Sequence, residues 1–431
     1  MQTLEQLRAG ELHGARRLKL ACGLAEFPRE IFTLADTLEI LDLSGNALSS
    51  LPADLPRLAR LRIIFCSDNQ FTELPEILGA CPELSMVGFK ANRISAVSAT
   101  SLPDKLRWLI LTDNAITELP PEISRRPLQK LMLAGNNIHA LPPEMAACSK
   151  LELLRISANQ LTGMPAWLLD LPRLGWLAYA GNPFCGVVEA KAARNPIAAI
   201  PWHQLFLQNK LGEGASGQIY RAEHLGNPVA VKLYKGAVTS DGLPDCEMAA
   251  CISAGAHPNL LPVLGKVPDH PQQVQALVMP LIAPEFINLA GPPSFDTCTR
   301  DVYPAGKRFS LRGALGIAHD VASAARHLHA RGITHGDLYG HNVLHCGEGS
   351  ALLGDFGAAS FHDPGSPHAT ALERIEVRAF GCLLEELLER CDGDVPPQLA
   401  LLRDDCLLPA PASRPLFQMV EQRLRSLLDN H

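Results

Sequence analysis

The chain of 431 residues contains no C-x-x-C pair, although its 12 cysteines run from Cys22 to Cys406. Scattered in this way they fit neither a zinc cage nor a disulfide scaffold, and they read as small buried apolar residues in a reducing compartment. There is also no run of Lys or Arg, and the net charge is −7, which speaks against nucleic acid or an anionic membrane as the main partner. No stretch reaches about 18 apolar residues, so no membrane span is expected. The first eight residues (MQTLEQLR) lack the apolar core of a signal peptide. These absences lead to the expectation of a soluble, cytoplasmic protein. Aromatic residues are few at 5%, but apolar residues make up 47%, enough for sizeable cores, and the length suggests two or three domains.

The dominant regularity is a repeat. Aligned on Leu-x-x-Leu-x-Leu-x-x-Asn, the chain places Asn at 46, 69, 92, 114, 136, 159 and 182, spaced by 23, 23, 22, 22, 23 and 23. Leu38, Leu41, Leu43, Asn46, Leu48, Leu51 and Pro52 show one unit in full. Before it, residues 3–17 predict a short amphipathic helix with Leu4, Leu7 and Leu12 on one side, and residues 18–28 read as an irregular capping unit. Over roughly residues 15–186 the pattern resembles the leucine-rich repeat family. Each unit then supplies a short parallel strand with leucines pointing inward, and the Asn side chain bonds backbone groups that no strand partner reaches. Seven or eight units stack because none can bury its own face.

The same register puts a row of side chains on the concave face, four and six positions before each Asn. It holds Ile40, Ile63, Phe65, Met86, Trp108, Ile110, Met132, Leu153 and Trp176, with Lys90, Lys130 and Arg155 nearby. An apolar row there suggests a docking surface for a protein partner, or packing against the chain's own second domain. The pattern dissolves after Asn182. Residues 187–201, with Pro196 and Pro201, read as a short connector, giving the division 1–186, 187–201 and 202–431.

The second half carries chemistry. His335-Gly-Asp-Leu-Tyr-Gly-His-Asn342 places an Asp and an Asn five positions apart, and Asp355-Phe-Gly357 follows. Upstream, Gly212, Gly214 and Gly217 lie in Leu211-Gly-Glu-Gly-Ala-Ser-Gly-Gln-Ile219, between segments that alternate like a hairpin and lead to Val229-Ala-Val-Lys232. Glycines there let a backbone lie over phosphates with no Cβ in the way. Glu247 is the candidate partner of Lys232, with Asp245 and Asp241 competing. Residues 276–282 predict a buried strand with Met279 beside a base pocket, residues 310–332 a helix, and Val343-Leu344 a strand. A further helix carries Ile375, Val377, Phe380, Leu383, Leu384 and Leu387, and the Cys406…Pro411…Arg414-Pro415 stretch closes the domain.

Residues from about 202 to 431 resemble the eukaryotic-type protein kinase family, and the whole chain resembles intracellular, bacterial-type leucine-rich-repeat kinases. The implied fold is an α/β repeat solenoid followed by an α+β two-lobed domain. The implied activity is transfer of the ATP γ-phosphoryl group to Ser/Thr hydroxyls of a protein substrate. The resemblance makes Asp337 the base, Lys232 and Glu247 an ion pair, and Asn342 and Asp355 the Mg²⁺ ligands. It assigns Leu211, Gly212, Glu213, Gly214, Ala215, Ser216, Gly217, Ile219, Ala230, Lys232, Met279, Leu281 and Leu344 to ATP.

Three departures qualify it. Gly336 stands where Arg usually precedes the base, Tyr339 where a Lys usually steadies the γ-phosphate, and the segment after Asp355 is short. A nucleotide-binding scaffold without catalysis and a small-molecule phosphotransferase therefore remain alternatives. Ser360, Ser366 and Thr370 are the acceptors that segment offers, with Arg374 or Arg378 as substitute cations for a phosphate. The expectation from Gly336 is activity independent of phosphorylation there.

Overall fold

Strands β1 (Arg17–Lys19), β2 (Ile40–Asp42), β3 (Ile63–Phe65), β4 (Met86–Gly88), β5 (Trp108–Ile110), β6 (Lys130–Met132) and β7 (Leu153–Arg155) form a parallel ladder in chain order. The structure, a computed structural model, describes every residue except Met1, Ala215, Ala237, Ser240, Glu348, Gly349 and His431. The chain divides into two compact units, Met1–Leu171 and Pro172–His431.

In the first unit the returning segments are short 3-10 helices such as Arg29–Leu34 and Pro121–Arg125, which suits a repeat this short. The asparagines do what the spacing implied. Asn46 donates to the carbonyls of Leu20 and Leu43, both at 2.8 Å, and accepts from the amides of Cys22 and Leu24. Asn69, Asn92, Asn114, Asn136 and Asn159 repeat the arrangement one turn further along each time. Immediately before every repeat Asn the backbone is left-handed: Gly45, Asp68, Ala91, Asp113, Gly135, Ala158 and Gly181 all have φ between 52° and 75°. Only three of these seven are glycine, so four side-chain-bearing residues are held in a conformation they disfavour.

Two expectations change here. The N-terminal helix, α1, covers only Leu4–Arg8, capped by Thr3; Gly10 and Gly14 follow with φ of 77° and 79° and stop it. The concave row is not an open face. Ile63, Met86, Met132 and Leu153 are buried, while Phe65, Trp108 and Ile110 are half-buried. Within the row, side chains cover one another: the Phe65 ring fills the space a Cβ on Gly88 would need, and Lys130 Nζ sits 4.2 Å from the Trp108 ring centroid.

The second unit begins with β8 (Trp176–Ala178), the strand of the last repeat, and α2 (Gly186–Ala192). The repeat pattern thus runs past Leu171, where the first compact unit ends. The expected connector at 187–201 is partly helical and partly bonded to a sheet. Ala198 and Ile200 exchange backbone hydrogen bonds with Lys266, and Ile200 is buried. An antiparallel sheet follows, built from β9 (Leu205–Glu213), β10 (Gly217–His224), β11 (Asn227–Tyr234), β12 (Gly265–Val267) and β13 (Ala276–Pro280). Its order is β12-β13-β11-β10-β9. Its core is β-branched: Val229, Val231, Val267 and Val278 pack with Ile200 and Leu205. Helix α3 (Pro244–Ala254) lies between β11 and β12 in the chain.

The remainder is mainly helical. It contains β14 (Ile287–Asn288), α4 (Leu311–Ala330), β15 (Ile333–Thr334), β16 (Val343–His345), β17 (Ala351–Leu353), β18 (Ser360–Phe361), α5 (Ala369–Leu388), α6 (Pro397–Cys406) and α7 (Phe417–Leu428). Ser310 caps α4 by accepting from the Gly313 amide at 3.0 Å. Among the described residues, no helix is long and apolar enough to cross a membrane.

Candidate active site

The glycine loop joins β9 to β10. Its glycines differ in purpose: a Cβ on Gly217 would collide with the Leu233 carbonyl oxygen, whereas Gly212 and Gly214 face open space. Open space above a loop is what an incoming phosphate group needs. Glu213 pairs with Lys210 at 2.7 Å and Lys235 at 2.6 Å, and these partners hold its carboxyl at about 2.

On β11, Lys232 and Tyr234 share one face, as strand alternation requires, and both line a cleft of about 430 Å³. The Lys232 ammonium is ion-paired with Glu247 of α3, which is 2% exposed. Burial alone would depress the Lys232 pKa, but Glu247 and then Asp355 raise it, so the ammonium is kept charged. Asp245, a competitor for this role, is bonded instead to Gln275.

Across the cleft, the loop after β15 is fixed from beneath. Glu376 of α5, fully buried, accepts from the Gly336 amide at 2.6 Å, the His335 amide at 3.2 Å and His329 Nε2 at 2.7 Å. The His335 ring accepts from the Asp337 amide at Nδ1 (3.3 Å) and donates from Nε2 to the Gly354 carbonyl (2.8 Å). It thereby ties the loop to the Asp355 segment. Asn342 donates its amide to the backbone carbonyl and to the carboxylate of Asp337, at 2.9 and 2.8 Å, which leaves its own Oδ1 for another partner. Asp355 is exposed and sits at φ 56°, a left-handed residue aimed by its neighbours. His341 is held through Nδ1 by Asp301 at 2.7 Å. Burial opposes its charge, but Asp301, Asp337 and Asp355 raise its pKa.

The structure therefore gathers Glu213, Gly214, Ile219, Lys232, Glu247, Met279, Asn342, Leu344 and Asp355 around one cleft, with Asp337 joined to it through Asn342. Among the described residues the lining does not include Leu211, Gly212, Ser216, Gly217, Ala230 or Leu281, and Ala215 lies outside the described residues. Tyr234, Cys251, Leu261, Val263, Leu277, Asn288, His341 and Phe356 line it unannounced. Tyr234 was legible, being two residues from Lys232 on a strand; Leu261 and Asn288 reach the cleft through loop paths that carry no local pattern.

Trp176 corrects the docking expectation most directly. It is 2% exposed, its ring stacks on Tyr339 with centroids 4.3 Å apart and planes 1° from parallel, and its Nε1 donates to the Leu338 carbonyl at 3.1 Å. Ser360 is likewise no surface acceptor. It is fully buried, and its Oγ accepts from the amides of Tyr179 (2.9 Å) and Ala180 (3.1 Å). Arg374 and Arg378, considered as phosphate partners, donate to the backbone carbonyls of Arg414 and Arg173.

Residues 205–378 match the model of the protein tyrosine and serine/threonine kinase family, and residues 37–58 and 126–184 match leucine-rich repeat models. The chain is 27% identical over 222 residues to fibroblast growth factor receptor 1 of Pleurodeles waltl, covering 48% of this chain and 27% of the receptor. It is 25% identical over 369 residues to the serine/threonine-protein kinase CTR1 of Arabidopsis thaliana, covering 74% of this chain and 39% of that kinase. It is 32% identical over 144 residues to the probable inactive serine/threonine-protein kinase roco10 of Dictyostelium discoideum, covering 33% of this chain and 5% of that protein. The chain thus spans well under half the length of each of these relatives.

Proposed function

The chain carries leucine-rich repeats followed by a protein kinase domain, and from that premise we propose that it transfers the γ-phosphoryl group of ATP to Ser or Thr hydroxyls of a protein. The observation that carries this reading is the charged Lys232–Glu247 pair facing the Asp337–Asn342 pair at one cleft. A kinase domain implies ATP with a divalent cation, and Mg²⁺ is the proposed ion. The residues fit it: Asn342 Oδ1, free of the Asp337 contacts, and the exposed Asp355 carboxylate are hard oxygen donors. Bound there, the ion would offset negative charge on the phosphates.

The protein's own groups do the rest. Lys232, held by Glu247, binds phosphate oxygens. The glycine loop offers backbone amides over open space. Asp337, oriented by Asn342 and by the His335 ring below it, takes the proton of the attacking hydroxyl. The repeat unit serves to recognise a protein, with Ile40, Phe65, Trp108 and Ile110 the row members that keep partial exposure.

A second reading, a nucleotide-binding scaffold without transfer, is favoured by Tyr339, a buried phenol stacked on Trp176 at the chain position where the kinases it resembles usually carry a Lys. Incubating the full chain with labelled ATP, Mg²⁺ and a generic protein substrate separates the two. Phosphoserine and phosphothreonine that disappear in Asp337→Ala support transfer; nucleotide binding without any labelled product supports the scaffold.

A further inference from the structure

Along Pro172–Ala180, five residues hydrogen-bond to later parts of the same unit and two more approach it closely. The Pro172 carbonyl accepts from Arg414 Nη2 at 2.7 Å, and the Arg173 carbonyl from Arg378 Nε at 3.0 Å. At Gly175 a Cβ would lie 3.3 Å from the Ala379 amide nitrogen of α5. Trp176 stacks on Tyr339 and donates to the Leu338 carbonyl, both residues lying within two positions of Asp337. The Leu177 carbonyl occupies the space beside Gly336, only 2.9 Å from where a Cβ would stand. The amides of Tyr179 and Ala180 then close on Ser360, past the Asp355-Phe-Gly turn.

We infer that this last repeat strand is a built-in brace of the catalytic loop, in which Trp176 positions Asp337 through Tyr339 and Leu338, and Ser360 serves as the strand's anchor and not as a phosphorylation site. The inference rests on the kinase reading only for its effect on rate; the brace itself is a statement about loop order. Its logic is physical. A loop carrying a base must be held to within a fraction of an ångström, and a misplacement of about 1 Å can cost about a hundredfold in rate. In many kinases a phosphate on the segment after the metal-binding Asp supplies that order by meeting cations. Here the Leu177 carbonyl stands where a side chain on residue 336 would begin, Gly336 has no side chain to offer, and the buried hydroxyl of Ser360 is committed to two amides. Tyr339 and Gly336, which look like losses when read singly, are both shaped to receive this strand.

The test uses the full chain. Trp176→Leu, which keeps an apolar side chain but abolishes the stack and the Nε1–H, is expected to lower kcat by about tenfold to a hundredfold. KM for ATP should stay within about threefold, since the Trp176 ring and its Nε1–H meet Tyr339, Leu338 and Arg300, none of which lines the cleft among the described residues. Trp176→Phe, retaining a ring on Tyr339, should recover most of the loss. Trp202→Ala, an aromatic deletion elsewhere in the unit, should leave kcat unchanged. Hydrogen exchange of the amides at 337–342 provides a readout independent of activity and is expected to quicken in Trp176→Leu while α4 and α5 stay protected. Unchanged kcat together with unchanged exchange at 337–342 would overturn the brace. If the parent chain transfers no phosphate yet Trp176→Leu loosens 337–342, the kinase reading fails and the brace stands.

Discussion

Replacing Gly336 by Arg restores the residue usual before the proposed base, Asp337, and the structure says it should do harm. Gly336 has φ 74°, and a Cβ there would overlap the Ala358 carbonyl oxygen and stand 2.9 Å from the Leu177 carbonyl oxygen. Both neighbours are backbone, so neither can swing away. The left-handed conformation alone costs a side-chain-bearing residue about 1–2 kcal/mol, and overpacking against fixed atoms adds about 1–3 kcal/mol. Gly336→Ala should therefore destabilise the second unit by roughly 2–5 kcal/mol, a large share of the roughly 5–15 kcal/mol typical of a domain. For a unit this size that is a fall in Tm of roughly 4–20 °C. Gly336→Arg should be no better, because the Cβ problem precedes any gain from its charge.

Gly306 provides the control, with φ 76° and nothing within 4 Å of where a Cβ would stand. Gly306→Ala isolates the conformational cost. Thermal unfolding of both variants, with phosphotransfer measured alongside, checks the reasoning. If Gly336→Ala and Gly306→Ala agree within about 0.5 kcal/mol, the overlap argument is wrong. If Gly336→Arg is stable and more active than the parent, the role given to the Leu177 carbonyl is wrong as well.

Further outcomes follow from the same contacts. Asp337→Ala should lower kcat by about a hundredfold or more with nucleotide affinity nearly intact, while Asp355→Ala should also weaken Mg²⁺-dependent nucleotide binding, measured by calorimetry with and without EDTA. Ala91→Gly and Ala158→Gly relieve left-handed alanines in the repeat turns and should each stabilise the first unit by about 1 kcal/mol in urea unfolding; a loss of stability would contradict that account. Burial, then Asp301, pushes the Glu386 carboxyl up to about 8, from 4.5 in an unfolded chain. A raised carboxyl stabilises the folded state at low pH and loses that contribution as pH climbs from 4.5 through 8. Stability should thus decline across that window, and Glu386→Gln should flatten the decline in melts taken from about pH 5 to about pH 8.5.

The repeat and the cleft were legible because each rests on a local pattern. Asn spacing announces the ladder, and an Asp and Asn five apart announce a loop that the structure closes with a 2.8 Å hydrogen bond. Local sequence leaves Glu247, Asp245 and Asp241 competing for Lys232, and it is Glu247 that pairs with Lys232 in the fold, while Asp245 bonds Gln275. What stayed hidden depends on distant partners. Trp176 obeys the repeat register as well as Trp108 does, and no periodicity tells that its ring meets Tyr339, far along the chain. The left-handed turn before each Asn was equally silent, since Asp68, Ala91, Asp113 and Ala158 are not residues that advertise such a backbone.

The offset between the end of the repeat pattern and the end of the first compact unit bears on how such a chain can be cut and rejoined. A fragment started at residue 202, where the catalytic motifs begin, would uncover the Tyr339 ring, leave the Ser360 hydroxyl without its two amides, and take one of three carbonyl acceptors from the buried guanidinium of Arg414. A fragment started at Pro172 keeps all of these. The edge of the second unit thus lies inside the repeats, one strand earlier than the motif ends.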